Sequence, residues 1–99
     1  MLIKAGVDIS RLKGPARGAL QIVNDELERR GFELVITSTF EGNHKARSLH
    51  YAHLAFDFRQ PKGERGGLLQ ALIKALSMDY DVIPEVDHIH IEYDPKGRE

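Results

Sequence analysis

The chain has 99 residues, of which 41% are hydrophobic and 29% are charged, and its formal net charge is -1. This length and balance fit one globular domain, residues 1–99, and exclude a disordered tail or several independent cores. The charge provides no general attraction for nucleic acid, and the absence of cysteine excludes disulfides and thiolate ligands. Any metal would therefore be held by imidazole and carboxylate groups.

The first predicted elements are an amphipathic helix and a strand. Apolar residues recur at helical spacing after Pro15, which suits a first helical turn, and Gly31 suits a C-terminal stop. Residues 15–30 are therefore predicted to be helical. Residues 32–39 are rich in β-forming side chains and are predicted to form a buried strand.

The middle of the chain predicts a second strand and a second helix. In residues 54–59, large apolar side chains alternate with small or charged ones, which is the period of a half-buried strand. Phe56 and Phe58 should therefore face the core, and Asp57 should face away from it. After a turn-rich segment, residues 68–76 contain strong helix formers and no helix breaker.

The last predicted element is a β-hairpin. Residues 80–83 and 88–93 are strand-like, and the connection between them has the length of a hairpin loop. Together the elements predict an α+β fold. In it, a small antiparallel sheet of about four strands is covered on one face by the two helices.

Candidate metal ligands lie on strand faces that point away from the predicted core. Alternation in the last strand places His88, His90 and Glu92 on one face. Taken alone, this pattern is no more than the polar face of an amphipathic strand. However, His50 stands at the start of another strand, seven residues before Asp57 on that strand's outer face. Two imidazoles and one carboxylate leave an open position on a tetrahedral ion, as in catalytic zinc sites.

Two motifs in these segments resemble those of a known superfamily of zinc enzymes. Its pattern is Ser-x-His-x-x-Gly-x-Ala-x-Asp, followed near the end of the chain by an acidic residue and His-x-His. The residues that fit this pattern are Ser48, His50, Ala55, Asp57, Glu85, Asp87, His88 and His90. In this respect the chain is similar to the zinc D-alanyl-D-alanine carboxypeptidases and related phage endolysins. These enzymes share their fold with the amino-terminal signalling domain of hedgehog proteins.

The resemblance implies a catalytic zinc centre with assigned residue roles. The implied ligands of the zinc ion (Zn2+) are His50, Asp57 and His90. His88 would stand beside the metal and stabilise the oxyanion of the transition state. The general base would be a carboxylate shortly before the last ligand, either Asp87 or Glu85, and Asp87 is slightly preferred.

Two positions depart from the family pattern. The glycine after His50 is replaced by His53, which we expect to be a tolerated residue at the rim of the site. The arginine that often grips the substrate carboxylate is missing upstream of the motif. Arg47 is the preferred candidate to replace it, because a guanidinium binds a carboxylate through two hydrogen bonds, and Lys45 and His44 are the alternatives. With Ser48, it completes the predicted substrate-binding residues.

The resulting hypothesis is zinc-dependent hydrolysis of peptide bonds in peptidoglycan stem peptides, by a D,D-carboxypeptidase or by an endopeptidase. The sequence does not choose between the two. The alternative is a catalytically weak or inactive zinc-binding module like that of hedgehog proteins. A non-haem iron oxygenase uses the same ligand types, but its usual host is a longer all-β barrel.

The sequence also predicts where the protein is made and what it meets. Its beginning lacks the apolar run of a secretory signal, and no later stretch has the length and hydropathy of a membrane span. We therefore expect synthesis in the cytoplasm and no membrane partner. Phage lysis would bring a wall-directed enzyme to its substrate; the alternative is a cytoplasmic enzyme of peptide recycling. The expected form is a monomer whose partner is a peptidoglycan peptide and not nucleic acid.

Overall fold

The computed structural model describes residues 1–39, 53–64 and 66–95. Every element predicted from the sequence is present in these ranges, and the α+β class is confirmed. The helices are α1 (Gly14–Arg29) and α2 (Leu68–Ala75). The strands are β1 (Leu2–Ile3), β2 (Val35–Ser38), β3 (Ala55–Arg59), β4 (Tyr80–Pro84) and β5 (His88–Tyr93).

The strands form one mixed sheet with the order β1-β2-β3-β5-β4. The pairs β2–β3, β3–β5 and β4–β5 are antiparallel, whereas β1 runs parallel to β2. The prediction of an entirely antiparallel sheet of about four strands was therefore wrong in strand count and at this edge. Because β1 has only two residues, it carries no detectable alternation. Its parallel pairing follows from the helix that connects it to β2.

Helix α1 begins and ends where its sequence dictates. Pro15 occupies the first turn, where its missing N–H would have no partner within the helix. After the helix, Gly31 has a φ of +82°, a left-handed conformation that glycine adopts without strain. In the described ranges, neither helix combines the length and hydropathy needed to cross a bilayer.

The hydrophobic core lies on one face of the sheet, beneath both helices. Phe56 and Phe58 are fully buried there, with ring centroids 6.5 Å apart, and Ile89 and Ile91 of β5 lie beside them. The helices contribute Ala16, Ala19, Leu20, Val23, Leu27, Leu68 and Leu72 to this core. Strand alternation consequently directs the polar residues of β3 and β5 to the opposite face.

Candidate functional site

The pairing of β3 with β5 brings predicted site residues together. Asp57 lies opposite His90, and Arg59 lies opposite His88. Directly opposed residues of antiparallel strands project from the same face, so these side chains share the face opposite the helices. The remaining predicted ligand, His50, and the predicted substrate-binding residues, Arg47 and Ser48, lie outside the described residues.

Asp57 and His90 form the centre of this polar face. The Oδ1 atom of Asp57 lies 2.8 Å from Nδ1 of His90. Although Asp57 faces away from the helices, it is buried, with 8% of its surface exposed. A buried carboxylate is costly unless it is hydrogen-bonded or paired with a cation, and His90 meets this need.

His90 also contacts a second carboxylate, that of Glu92, through its other ring nitrogen. Its Nε2 atom lies 2.5 Å from Oε1 of Glu92. Burial alone would lower the pKa of His90, but its hydrogen bonds to Asp57 and Glu92, together with their charges, raise the pKa above 6.5. In the metal-free protein this favours an imidazolium ring that donates one N–H to each carboxylate.

His88 lies between Asp57 and the predicted base Asp87. Its Nδ1 atom is 2.8 Å from Oδ1 of Asp87, and its Nε2 atom is 3.8 Å from Oδ2 of Asp57. The hydrogen bond to His88 lowers the pKa of the exposed Asp87 carboxyl. A general base is most effective when its pKa is near the working pH. Asp87 is therefore better suited to orienting His88 than to accepting a proton.

Glu85, the other candidate base, is exposed at the end of β4. Its backbone N–H donates a hydrogen bond to the carbonyl of His88 at 2.8 Å, which extends the pairing of the hairpin. The structure gives its carboxylate no hydrogen bond to any described residue. The backbone of Glu85 thus has a clear structural role, whereas its predicted catalytic role stays a prediction.

His53 occupies the position at which the family pattern has glycine. Its φ is +62°, and it is the only described residue other than glycine with a positive φ. A left-handed conformation costs a residue with a Cβ atom about 1–2 kcal/mol, whereas glycine adopts it readily. The backbone geometry thus explains why a glycine suits this position. The carbonyl of His53 accepts a hydrogen bond from the N–H of Lys13 at 2.9 Å, next to the start of α1.

Asp57 and His90 are of residue types that bind zinc in proteins. Two ligand atoms on a tetrahedral zinc ion lie about 3.3 Å apart, given bond lengths of about 2.0–2.2 Å. The observed 2.8 Å between Asp57 Oδ1 and His90 Nδ1 is shorter than this separation. A zinc-bound histidine usually donates its other N–H to a carboxylate, and Glu92 is placed for this. The sequence signal for Glu92 was its position on the same strand face as His90.

An acidic cluster lies next to this pair. Ligand atoms of Asp81, Glu92 and Asp94 lie within 4.8 Å of one another. In the described ranges, no other three histidine, aspartate or glutamate residues bring their ligand atoms this close together. Asp81 is opposite Glu92 in the β4–β5 register. Carboxylate oxygens alone suit hard cations rather than zinc, and exposed acidic groups commonly occur without an ion.

A groove of about 860 Å³ runs along the same face, at the end of the sheet where β3 finishes and β5 begins. The residues that line it include the carboxylates Asp57 and Asp87, His88, and three cationic residues. The cationic residues are Lys4, Arg59 and Lys62. Asp57, one member of the Asp57–His90 pair, therefore lies at the wall of a cavity of the size that binds small ligands.

No protein-family model matches the chain, and neither the curated proteins nor the solved structures that were compared give a match. Function must consequently be argued from the site. Fold alone does not determine chemistry, because one architecture supports many activities.

Proposed function

We propose that the protein is a zinc peptidase that hydrolyses peptide bonds in peptidoglycan stem peptides. The proposal rests on Asp57 and His90, which lie opposite each other on the outer face of the sheet with their ligand atoms 2.8 Å apart. Glu92 supports it further, because its carboxylate holds the second nitrogen of His90. The motif resemblance supplies His50 as the third ligand and the cell wall as the source of substrate.

Each residue of the site has a distinct task in this proposal. When bound, zinc would polarise the scissile carbonyl and lower the pKa of a water molecule. Asp57 and His90 would hold the ion. His88 lines the groove beside Asp57. In its doubly protonated form, with Nδ1–H donated to Asp87, it would donate its Nε2–H to the negative charge that develops on the carbonyl oxygen. Asp87 binds the opposite nitrogen and so keeps the Nε2 atom of His88 directed towards Asp57.

The general base remains a choice between Asp87 and Glu85. If Asp87 acts only through His88, Glu85 is the carboxylate left to accept the proton. If Asp87 is itself the base, it must release His88 during the reaction, because the imidazole holds its carboxylate in the observed structure. The two possibilities differ in whether the effects of Asp87 and His88 substitutions are independent.

A zinc-binding module without turnover is the second candidate. The specific observation in its favour is the exposure of both predicted bases: 87% of the Asp87 side chain is exposed, and Glu85 is also exposed. A zinc site without a positioned base hydrolyses poorly. Such a module would bind zinc with the same ligands as the peptidase, so metal binding alone does not separate the two.

The experiment that tests the proposal combines metal analysis with digestion of peptidoglycan. The purified chain should bind about one zinc ion, as expected for one three-ligand site. Single alanine substitutions of His50, Asp57 and His90 should each abolish binding, whereas His53→Gly should retain zinc and serves as the control. Mass spectrometry of digested fragments distinguishes loss of a terminal residue from cleavage of cross-links. Absence of zinc after reconstitution would contradict the proposal, and a zinc-loaded but inert protein would favour the binding module.

A further inference from the structure

A second, smaller cavity adjoins the groove on the outer face of the sheet. It has a volume of about 270 Å³, and its described lining includes Phe32, Val35 and Pro61. Residues 59–62 line both the groove and this second cavity, so the two lie side by side. Among the described residues, neither Asp57 nor any histidine lines the second cavity. It therefore stands apart from the proposed metal ligands.

The walls of the second cavity are more apolar than those of the groove. Phe32, Val35 and Pro61 are each half-buried, so that part of each side chain is fixed and part is accessible. Phe32 also packs against the hydrophobic core, which holds its ring in place. The charged residues of the lining carry both signs, because Glu33 lies there together with two cations of residues 59–62. Such a lining suits an uncharged apolar group, which gains free energy when its surface is removed from water.

Strand β2 sets the distance between the two cavities. Ile36 is buried in the core, so strand alternation directs its neighbours Val35 and Thr37 to the opposite face. Thr37 lines the groove, and Val35 lines the second cavity. Alternate residues of a strand are about 6.6 Å apart, and an extended peptide has the same repeat. One peptide lying along the sheet can therefore place a residue in the groove and the side chain two residues away in the second cavity.

We propose that the second cavity binds an apolar side chain of the peptide substrate, two residues from the part of the peptide that occupies the groove. Phe32, Val35 and Pro61 contact this side chain and select it for its apolar surface. The preferred ligand is thus an extended peptide longer than a dipeptide. The inference deepens the proposed function and rests on it for the identity of the ligand as a peptide. It adds specificity at a residue that takes no part in the chemistry.

The test measures peptide binding separately from hydrolysis and from the charges of the peptide ends. The probes are N-acetyl pentapeptide amides of alternating L- and D-alanine, with either leucine or glycine as the central residue. The central residue lies two positions from either end, so the test does not depend on the direction in which the peptide binds. The peptides are titrated into the metal-free protein in the presence of a chelator. Wild-type protein should bind the leucine peptide about tenfold more tightly, because burial of one aliphatic side chain distinguishes the two.

Two substitutions in the second cavity and one outside it show where the preference arises. Val35→Ser and Pro61→Ser should each reduce the preference for leucine by about threefold or more, since each removes part of the apolar lining. Pro61 lies outside the helices and strands, so its substitution keeps the test decisive if Val35→Ser fails to fold. Ile73→Ser is the matched control, because Ile73 is an exposed apolar residue of α2 outside both cavities. Thermal midpoints identify the variants that are folded.

The outcomes separate the second cavity from the peptidase activity. Equal binding of the leucine and glycine peptides by wild-type protein would overturn the inference. So would a preference for leucine that is unchanged in the folded variants, or binding of N-acetylleucine amide as tight as that of the leucine pentapeptide. If zinc-loaded protein digests peptidoglycan but the wild type does not prefer the leucine peptide, the inference fails while the proposed function stands. If the leucine peptide binds through Val35 and Pro61 but no peptidoglycan fragment is hydrolysed, the proposed function fails while the cavity stands.

Discussion

His90 is held between two carboxylates, one buried and one half-buried. Asp57 and Glu92 approach different ring nitrogens, so the plane and direction of the ring are fixed before any metal binds. A fixed ring loses less conformational freedom on binding, and a carboxylate on its far nitrogen makes the imidazole a stronger ligand. In the proposed zinc site, Glu92 would thus support His90 without binding the metal.

Replacing Glu92 with alanine should weaken zinc binding by about 10- to 100-fold, the usual effect of removing a carboxylate that supports a metal-binding histidine. Affinity is measured by competition with a chromogenic chelator. Glu85→Ala is the control, because it removes an exposed carboxylate of the same hairpin that forms no hydrogen bond to a described side chain. Equal losses in the two variants would show that general negative charge, and not the contact with His90, determines affinity.

The contact between Asp87 and His88 predicts coupled effects on catalysis. If Asp87 acts by orienting His88, the double variant Asp87→Asn/His88→Gln should be no slower than His88→Gln alone. Once the imidazole of His88 has been removed, Asp87 has no ring to orient, so its substitution has no further effect. Each single variant should keep zinc and lower kcat, with His88→Gln the slower of the two.

An independent role for Asp87 as the general base predicts a different result. Asp87→Asn alone would then reduce turnover by roughly 100-fold or more, and the two losses would multiply in the double variant. Comparison of kcat and KM for the four proteins measures this difference directly. Multiplied losses would contradict the positioning role and would identify Asp87 as the general base.

At the scale of elements, Tyr80 links the edge of the sheet to the first helix. Its hydroxyl donates a hydrogen bond to the carbonyl of Pro15 at 2.8 Å. Tyr80→Phe should therefore lower the free energy of unfolding by about 1 kcal/mol. Denaturant unfolding measures the change.

Tyr93→Phe provides the matched control for this contact. The Tyr93 ring packs against Tyr80 with centroids 5.3 Å apart, but its hydroxyl forms no hydrogen bond to a described residue. Removal of that hydroxyl should change stability by less than about 0.5 kcal/mol. A similar loss in both variants would mean that hydration of the rings, and not the bond to Pro15, determines the effect.

The elements differ in how far the sequence predicted them. The alternation of 54–59 correctly placed Phe56 and Phe58 in the core and Asp57 on the other face, because period-2 patterns specify orientation. The pairing of β3 with β5 was not predicted, since strands distant in the chain carry no local signal of their register. The burial of Asp57 and its contact with His90 depend on that register, whereas Glu92 contacts His90 from the same strand.

At the scale of the whole molecule, the core and the site occupy opposite faces of one sheet. The apolar residues of β3 and β5 pack against the helices, while the intervening residues carry the ionisable groups. Substitutions at the site therefore leave the hydrophobic core intact and act on stability mainly through charge. This arrangement makes the pH dependence of folding a measure of the site's electrostatics.

The metal-free protein should lose stability as the pH rises through the folded pKa of His90. Burial lowers that pKa, but the bonds to Asp57 and Glu92 outweigh burial and hold it above 6.5. In the unfolded chain the pKa returns to about 6.5. The folded state thus binds the proton more tightly, and the resulting stabilisation is complete below about pH 6.5 and is lost above the folded pKa.

Urea unfolding in a chelator, at pH values between about 6 and 9, measures this change. His90→Gln is the control, because it removes this titration while leaving the other ionisable groups in place. The difference in unfolding free energy between wild type and His90→Gln should therefore shrink as the pH rises. A difference that stays constant or grows would show that the two carboxylates do not stabilise a protonated His90.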